Sequence, residues 1–259
     1  MNKKGIRRFY IRPENFSSIT NDKTCLSILP FSEVHHISNV LRLGTGDEIL
    51  LLDGEGNMAR CAIKRKEKAG LFLKILSRNT LRDDRLPICL ITAIIKGDRM
   101  NWLIQKASEL GVMSISPIFT SQTVINPRID RQEKRIERWE KISIQALKQS
   151  RGNMATRIHP PSSLEDAVSD CPSEGTKIFL SETEGKDHIF SVCMTQKRKL
   201  PATLIIGPEG GFSEKEMTFL KGHGFHPASL GKRILRSETA AIAGISILSA
   251  CLEHLNRTS

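Results

Sequence analysis

The sequence predicts an α/β protein in two parts, a small β-rich domain over residues 1–76 and a larger domain over residues 77–259. Short apolar segments separated by tight turns fill residues 47–76, which is typical of a β-meander. After Pro87, apolar segments instead alternate with helical patterns, which is typical of a mostly parallel sheet covered on both faces. The polar segment SRNTLRDDRLP, residues 77–87, predicts a linker between the two parts.

The β-rich part contains three predicted strands. EILLL leads into the turn DGEGN, after which Ala59, Cys61 and Ile63 alternate with more exposed positions, and GLFLKIL follows a turn at Ala69-Gly70. A short helix before these strands is predicted to end at Gly44. Short strands joined by tight turns suggest a small barrel, a shape often used to hold RNA.

The second part follows a regular order of predicted strands and helices. ICLITAIIK is an apolar strand, a helix follows it and ends at Gly111, and VMSISPIF is the next strand. The long segment RQEKRIERWEKISIQALKQSR has helical periodicity, and TKIFL and ATLIIG are strands. Ser213-Glu-Lys-Glu216 is a capping-box signature that predicts a helix start, and a strand near PASLG precedes the final helix ETAAIAGISILSACLEHL.

Composition limits the functional classes. The 259 residues carry 39 Lys and Arg against 28 Asp and Glu, a net charge of +11 that points either to a polyanionic partner or to a basic solvated surface. No apolar run approaches the roughly 20 residues that span a bilayer, and the basic N-terminus lacks the apolar segment of a secretion signal. Six scattered cysteines without a CxxC pair predict neither a disulfide framework nor a metal site, so we expect a cytoplasmic protein without metal.

Two strand exits near the C-terminus are marked by glycine. LIIGPEGGFSEKE and SLGKRILRSETAAIAG each run from a predicted strand through a glycine-containing loop into a helix. One such corner is most simply a tight turn, but two corners this close together favour a site. Backbone groups at such exits suit a flat polar molecule such as an adenine ring with its ribose. The GxGxxG and GxxxxGK[ST] loops of dinucleotide-binding and P-loop proteins are absent where they would be expected.

Together with KGDRMNWLIQKASELGV, ALKQSR, RRFYI and HISNVLRLGTGDEI, these two motifs make the chain resemble the RsmE family over almost its whole length. The members of that family are S-adenosylmethionine-dependent 16S ribosomal RNA (uracil-N3)-methyltransferases of the SPOUT superfamily. The resemblance implies a PUA-like β-barrel over residues 1–76, a SPOUT domain with a C-terminal trefoil knot over residues 77–259, and a homodimer.

The resemblance also implies which residues hold S-adenosylmethionine, namely those of three loops, Leu180–Glu182, Gly207–Gly211 and Leu230–Ala240. The predicted cofactor-binding residues are Leu180, Ser181, Gly207, Glu209, Gly210, Gly211, Leu230, Gly231, Ile234, Leu235, Thr239 and Ala240.

Three residues are candidates for the chemistry. Arg236 precedes the last helix, where it can stabilise the uridine anion, although a structural contact with Glu238 or with a phosphate is an alternative. Glu209 and Glu238 lie near predicted helix N-termini, where the dipole makes a carboxylate a poorer base, so the general base stays open. Where the family often has a Ser-Glu-Arg-Ser run, this chain has Thr120-Ser-Gln-Thr123.

The predicted RNA-binding residues come from both parts of the chain. Arg7, Arg8 and Arg42 belong to the β-rich part, where basic side chains can track phosphates. Gln149 and Arg151 are carried over from the resemblance. The expected partner is 16S rRNA or the small ribosomal subunit. Two alternatives stay open, namely a SPOUT methyltransferase that acts on a ribose 2′-OH or on tRNA, and a non-catalytic ribosome-assembly factor.

Overall fold

The computed structural model describes residues 6–16, 25–26, 29, 31–67, 70–122, 129–195 and 200–257. It forms two compact units, one of residues 1–84 with 147–155 and the other of residues 85–146 with 156–259. The division at 76/77 into functional domains stays a prediction, whereas these bounds are those of the folded units.

A five-stranded sheet dominates the described part of the first unit. Its strands are β1 (Arg7–Tyr10), β2 (Cys25–Leu26), β3 (Glu48–Leu52), β4 (Asn57–Glu67) and β5 (Gly70–Thr80), in the order β1-β3-β4-β5-β2. β1 pairs with β3 in parallel, and the other neighbours are antiparallel. Two short helices, α1 (Pro13–Phe16) and α2 (Phe31–His35), complete it, and α2 continues into a π-helical turn over His36–Val40. The predicted meander is therefore confirmed, whereas closure of the sheet into a barrel stays a prediction.

Two boundaries of the first unit were predicted wrongly. The segment predicted as a linker begins inside β5, because Ser77 to Thr80 pair with Arg60 to Asn57 of β4. These residues are exposed, so backbone hydrogen bonds hold them in the sheet without a buried face that the sequence would reveal. The helix predicted to end at Gly44 ends at Val40 instead, and Arg42 adopts the left-handed conformation with φ of 53° that often closes a helix.

Residues 147–155 belong to this first unit, although the first four of them are the last turn of the helix Ile129–Ser150, whose earlier residues belong to the second. The backbone N–H of Ala155 donates to the carbonyl of Gly54 at 2.8 Å, and Arg8 Nη2 donates to the carbonyl of Gly152 at 2.7 Å. Lys148 Nζ lies 2.6 Å from Glu33 Oε1 in a half-buried ion pair. Segments far apart in sequence thus build one unit.

The second unit is a parallel sheet with helices. Its strands are β6 (Leu86–Ala93), β7 (Val112–Phe119), β8 (Arg157–Ile158), β9 (Ser162–Ser163), β10 (Thr176–Leu180), β11 (Ala202–Ile206) and β12 (His226–Ala228). Their order is β12-β10-β11-β6-β7-β8, with β9 also on β7, and the pairs between these strands are all parallel. The helices are α3 (Asp98–Glu109), α4 (Ile129–Ser150), α5 (Leu164–Ser169), α6 (Ile189–Thr195), α7 (Glu214–Gly222) and α8 (Ser237–Arg257). The predicted α/β class with a parallel sheet is confirmed.

Buried aliphatic side chains hold the sheet between two layers of helices. Leu90 and Leu204 of the central strands pack with Leu103 of α3 and Ile245 of α8 on one face. On the other face, Phe179 packs with buried residues of α5 and α7. Because parallel strands covered on both faces are apolar throughout, β11 is buried at every position. The predicted capping box at Ser213 and Glu216 is present at the start of α7.

No helix among the described residues combines the length and apolar character needed to cross a membrane. Among the described residues, Cys61, Cys89, Cys171, Cys193 and Cys251 form no disulfide, and the side chain of Cys25 lies outside the described residues. Burial raises the pKa of the Cys193 thiol to about 12, and neighbouring Cys251 adds to that shift. The buried thiols of Cys61, Cys193 and Cys251 pack as small apolar side chains.

Candidate active site

A cavity of about 390 Å³ opens where three neighbouring strands of the second unit end. β10 ends at Leu180, β11 at Ile206 and β12 at Ala228, and each strand end lines the cavity together with the loop that follows. Because these strands are parallel and adjacent, their carboxyl ends meet at one edge of the sheet. The volume lies within the range of small-molecule sites.

The cavity brings together the residues that the resemblance assigned to the cofactor, all except Thr239. Leu180 and Ser181 come from the first loop, Gly207, Glu209, Gly210 and Gly211 from the second, and Leu230, Gly231, Ile234, Leu235 and Ala240 from the third. Thr239 is exposed in the first turn of α8 and is not part of the lining. The sequence missed Glu182, Thr183 and Arg233 as individual lining residues.

Two glycines of the lining adopt left-handed backbone conformations. Gly211 has φ of 74° and Gly231 has φ of 107°, and neither has an atom within 4 Å of the position that a β-carbon would occupy. Glycine is favoured there because other residues are strained at such φ values. At Gly207 and Gly210 the close neighbours are side chains of the protein itself. A β-carbon would lie 3.0 Å from the Phe212 ring at Gly207, and 3.1 Å from the Gln122 amide oxygen at Gly210.

Arg236 is the exposed cation that the lining contributes just before α8. Its carbonyl accepts the first hydrogen bond of that helix, from Ala240 N at 2.8 Å. Among the described residues, no carboxylate lies within ion-pair distance of its guanidinium, and the predicted structural partner Glu238 is turned to Arg99. The side chain is thus available at the cavity wall, close to the N–H groups that begin α8.

Glu209 and Glu238 share one partner, Arg99 of α3. Arg99 Nη2 lies 2.7 Å from Glu209 Oε1, and Nη1 lies 3.9 Å from Glu238 Oε2. The Glu209 side chain is 46% exposed and lines the cavity, whereas the Glu238 side chain is 10% exposed and is not part of the lining. The two carboxylates therefore have different surroundings, although the sequence predicted the same position, near a helix N-terminus, for both.

Glu216 joins the start of α7 to the loop that follows β7. Its carboxylate accepts hydrogen bonds from the backbone N–H and the hydroxyl of Ser213 at 2.8 and 2.9 Å. It also accepts from the backbone N–H and the hydroxyl of Ser121 at 2.9 and 3.1 Å. Burial on its own raises the pKa of Glu216, but these hydrogen bonds outweigh it and lower the pKa below its ordinary value of 4.5. Ser121, in the segment where the chain departs from the family, is thus a partner of this helix cap.

We expect Glu216→Gln to lower the free energy of unfolding at pH 7 by about 1 kcal/mol, the usual cost of a lost helix cap. Because the pKa of Glu216 is lowered by folding, its contribution is complete above pH 4.5 and is lost as the pH falls through the folded-state pKa. The difference in melting temperature between wild type and variant, measured from pH 7 to pH 3, should therefore shrink towards acid. Exposed Glu214, in the same first turn, gives the control Glu214→Gln. A difference in melting temperature that does not change with pH would contradict a stabilising role for the Glu216 charge.

The five predicted RNA-binding residues all belong to the first unit. These include Gln149 and Arg151, which lie within residues 77–259, the range predicted for the second domain. Arg7, Arg42, Gln149 and Arg151 are exposed, and Arg8 is half-buried. Burial lowers the pKa of the Arg8 guanidinium, Asp84 opposes that shift, and Arg151 adds to it. Arg8 Nε and Nη1 have no hydrogen-bond partner among the described residues.

The lining residues fit a sulfonium nucleoside such as S-adenosylmethionine. Leu180, Ile206 and Leu235 supply apolar surface for a base, and Ser181 supplies a hydroxyl. The carboxylates of Glu182 and Glu209 are suited to the positive charges of such a cofactor. Within the described ranges, no cluster of three or more His, Cys, Asp or Glu residues could hold a metal ion.

Comparison with protein families supports the same assignment for both units. The model of the RNA methyltransferase domain matches residues 82–249, and that of the RNA methyltransferase PUA domain matches residues 30–76. The chain is similar to the ribosomal RNA small subunit methyltransferase E of Bacillus subtilis, with 31% identity over 86% of this chain and 89% of that protein. It is also similar to the protein of the same name from Mesomycoplasma hyopneumoniae, with 32% identity over 95% of this chain and 99% of that one.

Two solved structures of methyltransferases are also similar to this chain. The ribosomal RNA small subunit methyltransferase E of Neisseria gonorrhoeae, bound to S-adenosyl methionine, is 33% identical and superimposes with a TM-score of 0.81 over 95% of this chain and 98% of that one. A putative methyltransferase of Legionella pneumophila, in complex with the bound cofactor SAM, is 32% identical with a TM-score of 0.80 over the same shares.

Proposed function

Because the chain belongs to the RNA methyltransferase family whose domain model matches residues 82–249, we propose that it methylates small-subunit ribosomal RNA at N3 of a uridine. S-adenosylmethionine is the proposed methyl donor. The observation that carries the proposal is the cavity at the ends of β10, β11 and β12, because its lining combines apolar surface, backbone groups and carboxylates suited to that cofactor. The relatives named ribosomal RNA small subunit methyltransferase E support the choice of substrate, and the two solved structures with bound cofactor support the choice of donor.

The residues of the chain have three tasks in this reaction. S-adenosylmethionine, when bound, supplies an electrophilic methyl group. The three loops position it, since methyl transfer from sulfur to nitrogen depends mainly on alignment of donor and acceptor. Uridine N3 must lose its proton, and the negative charge that develops spreads over O2 and O4. Arg236, exposed at the cavity wall without a carboxylate partner among the described residues, stabilises that charge, and the N-terminus of α8 adds to the effect.

The proton that leaves N3 has no assigned acceptor in the chain. The buried carboxylate of Glu238 lies by Arg99 rather than in the cavity lining. Glu209 lines the cavity, but its carboxylate is held at 2.7 Å by the same arginine. Because both carboxylates face Arg99, the proton is proposed to pass to solvent water.

The first unit is proposed to hold the RNA. Arg42 and Arg151 are the two non-glycine residues with positive φ among the described residues, at 53° and 63°, and both are exposed. An arginine in this conformation costs about 1 kcal/mol relative to a relaxed backbone, and strain of this kind is often retained where a side chain is needed for function. We propose that the function of these two guanidinium groups is to bind RNA phosphates.

This proposal predicts opposite changes in stability and affinity. Arg42→Gly and Arg151→Gly should leave the melting temperature unchanged or raise it, because glycine accepts positive φ without strain. Each should weaken binding to a small-subunit rRNA fragment and reduce the salt slope of log K by about 1. Lys141→Ala, which removes an exposed cation of α4 in the second unit, is the control. Unchanged affinity in both glycine variants would contradict a role for these arginines in RNA binding.

Homodimerisation and the trefoil knot, which the resemblance implies, and a cytoplasmic location, which the cysteine pattern predicts, complete the proposal. Sedimentation of the purified chain tests the first of these.

The test of the proposed function is direct. The purified chain is incubated with S-adenosylmethionine and under-methylated small ribosomal subunits, and the digested RNA is analysed by mass spectrometry. Appearance of 3-methyluridine is the expected result. A 2′-O-methylated nucleoside, or methylation of tRNA alone, would retain the cofactor and overturn the substrate. Absence of methylation on both subunits and naked rRNA, with cofactor binding intact in calorimetry, would support a binding protein that assists ribosome assembly.

A further inference from the structure

We propose that Arg99 is a positioning residue that fixes the distance between two walls of the cofactor cavity without touching the cofactor. The inference rests on the proposed function, since it assigns a role within the same site. Arg99 lies in the first turn of α3 and is not among the residues that line the cavity. Its guanidinium reaches one carboxylate on each of the two glycine-containing loops.

The first contact fixes the loop that follows β11. Arg99 Nη2 lies 2.7 Å from Oε1 of Glu209, within Gly207–Gly211. Because Gly210 and Gly211 offer no side chains and Gly211 has φ of 74°, Glu209 supplies the charged side chain through which this loop is anchored. The backbone hydrogen bond from Gly211 N to the carbonyl of Pro208, at 2.9 Å, holds the loop only to itself. The ion pair is therefore an anchor between this loop and α3.

The second contact is an electrostatic one, to the head of α8. Arg99 Nη1 lies 3.9 Å from Oε2 of Glu238, a side chain that is 10% exposed. That oxygen is buried and has no hydrogen-bond partner among the described residues, so Arg99 is the nearby charge that compensates it. Ser237 and Ala240, on either side of Glu238 in the same helix, line the cavity. A shift of this first turn would move the cavity wall.

One planar guanidinium thus connects both walls to α3, which packs against α8 in the core. Arginine is suited to this task because its fork binds two carboxylates at once with fixed geometry, which a lysine ammonium cannot reproduce. Without it, the two loops would sample arrangements that do not bind the cofactor. The apparent dissociation constant then rises in inverse proportion to the remaining competent fraction.

The test measures cofactor binding by calorimetry with S-adenosylmethionine in four chains: wild type, Arg99→Ala, Glu209→Gln and the double variant. We expect Arg99→Ala to raise Kd by about tenfold, as when a tenth of the molecules remain competent. Glu209→Gln also removes a carboxylate that faces the cavity, so it should raise Kd in both backgrounds, but by a smaller factor in the Arg99→Ala background, where the shared contact is already lost. Effects that multiply in the double variant would overturn the inference, as would an unchanged Kd in Arg99→Ala.

Two further variants separate positioning from general loss of stability. Arg99→Lys should restore only part of the affinity, since it keeps the charge but not the fork. Arg99→Ala/Glu238→Gln should recover melting temperature relative to Arg99→Ala, because the uncompensated buried charge is removed, while Kd stays raised. Recovery of both quantities together would show a merely structural role and overturn the inference.

A control variant and the wild type complete the experiment. Arg138→Ala removes another arginine contact of the same turn, that between Arg138 Nη2 and Asp98 Oδ1 at 3.4 Å, and should leave Kd unchanged. A wild-type chain that binds no S-adenosylmethionine would overturn the proposed function itself, and so the two failures are distinguishable.

Discussion

Replacing Arg236 by alanine is expected to lower kcat for methyl transfer by about 10²- to 10³-fold, the usual cost of removing a group that stabilises transition-state charge. The guanidinium lies at the wall of the cavity and has no carboxylate partner among the described residues, so its loss removes a charge from the site without breaking an ion pair there. Single-turnover methylation of small ribosomal subunits measures the rate, and calorimetry with S-adenosylmethionine measures cofactor affinity in the same preparations.

The ratio of the two effects distinguishes a catalytic role from a binding role. A residue that acts on the uridine anion should reduce kcat far more than it weakens cofactor binding, so the Kd of Arg236→Ala should stay within a few-fold of wild type. Arg236→Lys keeps the charge and should retain part of the rate. Lys215→Ala, which removes an exposed cation of α7 outside the cavity, should behave as wild type. Equal loss of affinity and rate would reassign Arg236 to cofactor binding.

Regular patterns predicted most of the second unit. The strands VMSISPIF and TKIFL have the predicted bounds, because buried parallel strands consist mainly of apolar residues. The capping box at Ser213 and Glu216 was readable because all its parts lie within four consecutive residues. The short helix α5 was missed, although Ser163 caps it through the backbone N–H of Asp166. This Ser-x-x-Asp spacing, followed by apolar residues, was the signal that could have found it.

Contacts between residues far apart in the sequence could not be predicted from local sequence patterns. Ser121 and Glu216 are 95 residues apart, and no periodicity links them. Arg99 reaches Glu209 and Glu238 only because the parallel sheet brings the start of α3 beside the loops that follow β11 and β12. Likewise, residues 147–155 join the first unit through backbone contacts such as that between Ala155 and Gly54, which leave no mark on side-chain composition.

The glycine motifs illustrate how far the cavity itself was predictable. The sequence indicated that bare backbone is needed near a ligand, and the loops that carry these glycines do line one cavity. However, a β-carbon at Gly207 or Gly210 would also crowd the neighbouring Phe212 ring or Gln122 amide, which a one-dimensional pattern cannot reveal. Small residues in such a motif therefore report on packing of the loops as well as on the approach of a ligand.

Gly185→Ala is expected to damage the cavity although Gly185 does not line it. A β-carbon at this position would overlap the carbonyl oxygen of Ser181 and lie 2.6 Å from both the carbonyl carbon and oxygen of Ala228. All of these are backbone atoms, so no side chain can turn away. Ser181 and Ala228 line the cavity, and Ser181 N donates to the carbonyl of Ala228 at 3.0 Å. Relief of the overlap must displace the loop that carries Gly185 or separate the ends of β10 and β12.

We therefore expect Gly185→Ala to lower the free energy of unfolding by about 1–3 kcal/mol, the usual cost of overpacking, and to raise the Kd for S-adenosylmethionine by more than tenfold. Gly222→Ala is the matched control, because Gly222 ends α7 with nothing within 4 Å of a β-carbon and without positive φ. Alanine there should be neutral or stabilise by about 0.5–1 kcal/mol. Thermal unfolding and calorimetry on the two variants should give changes of opposite direction in stability and a change in affinity only for Gly185→Ala. Normal cofactor affinity in a destabilised Gly185→Ala chain would mean that the strand ends move without reshaping the cavity, and that the loops alone determine how the cofactor binds.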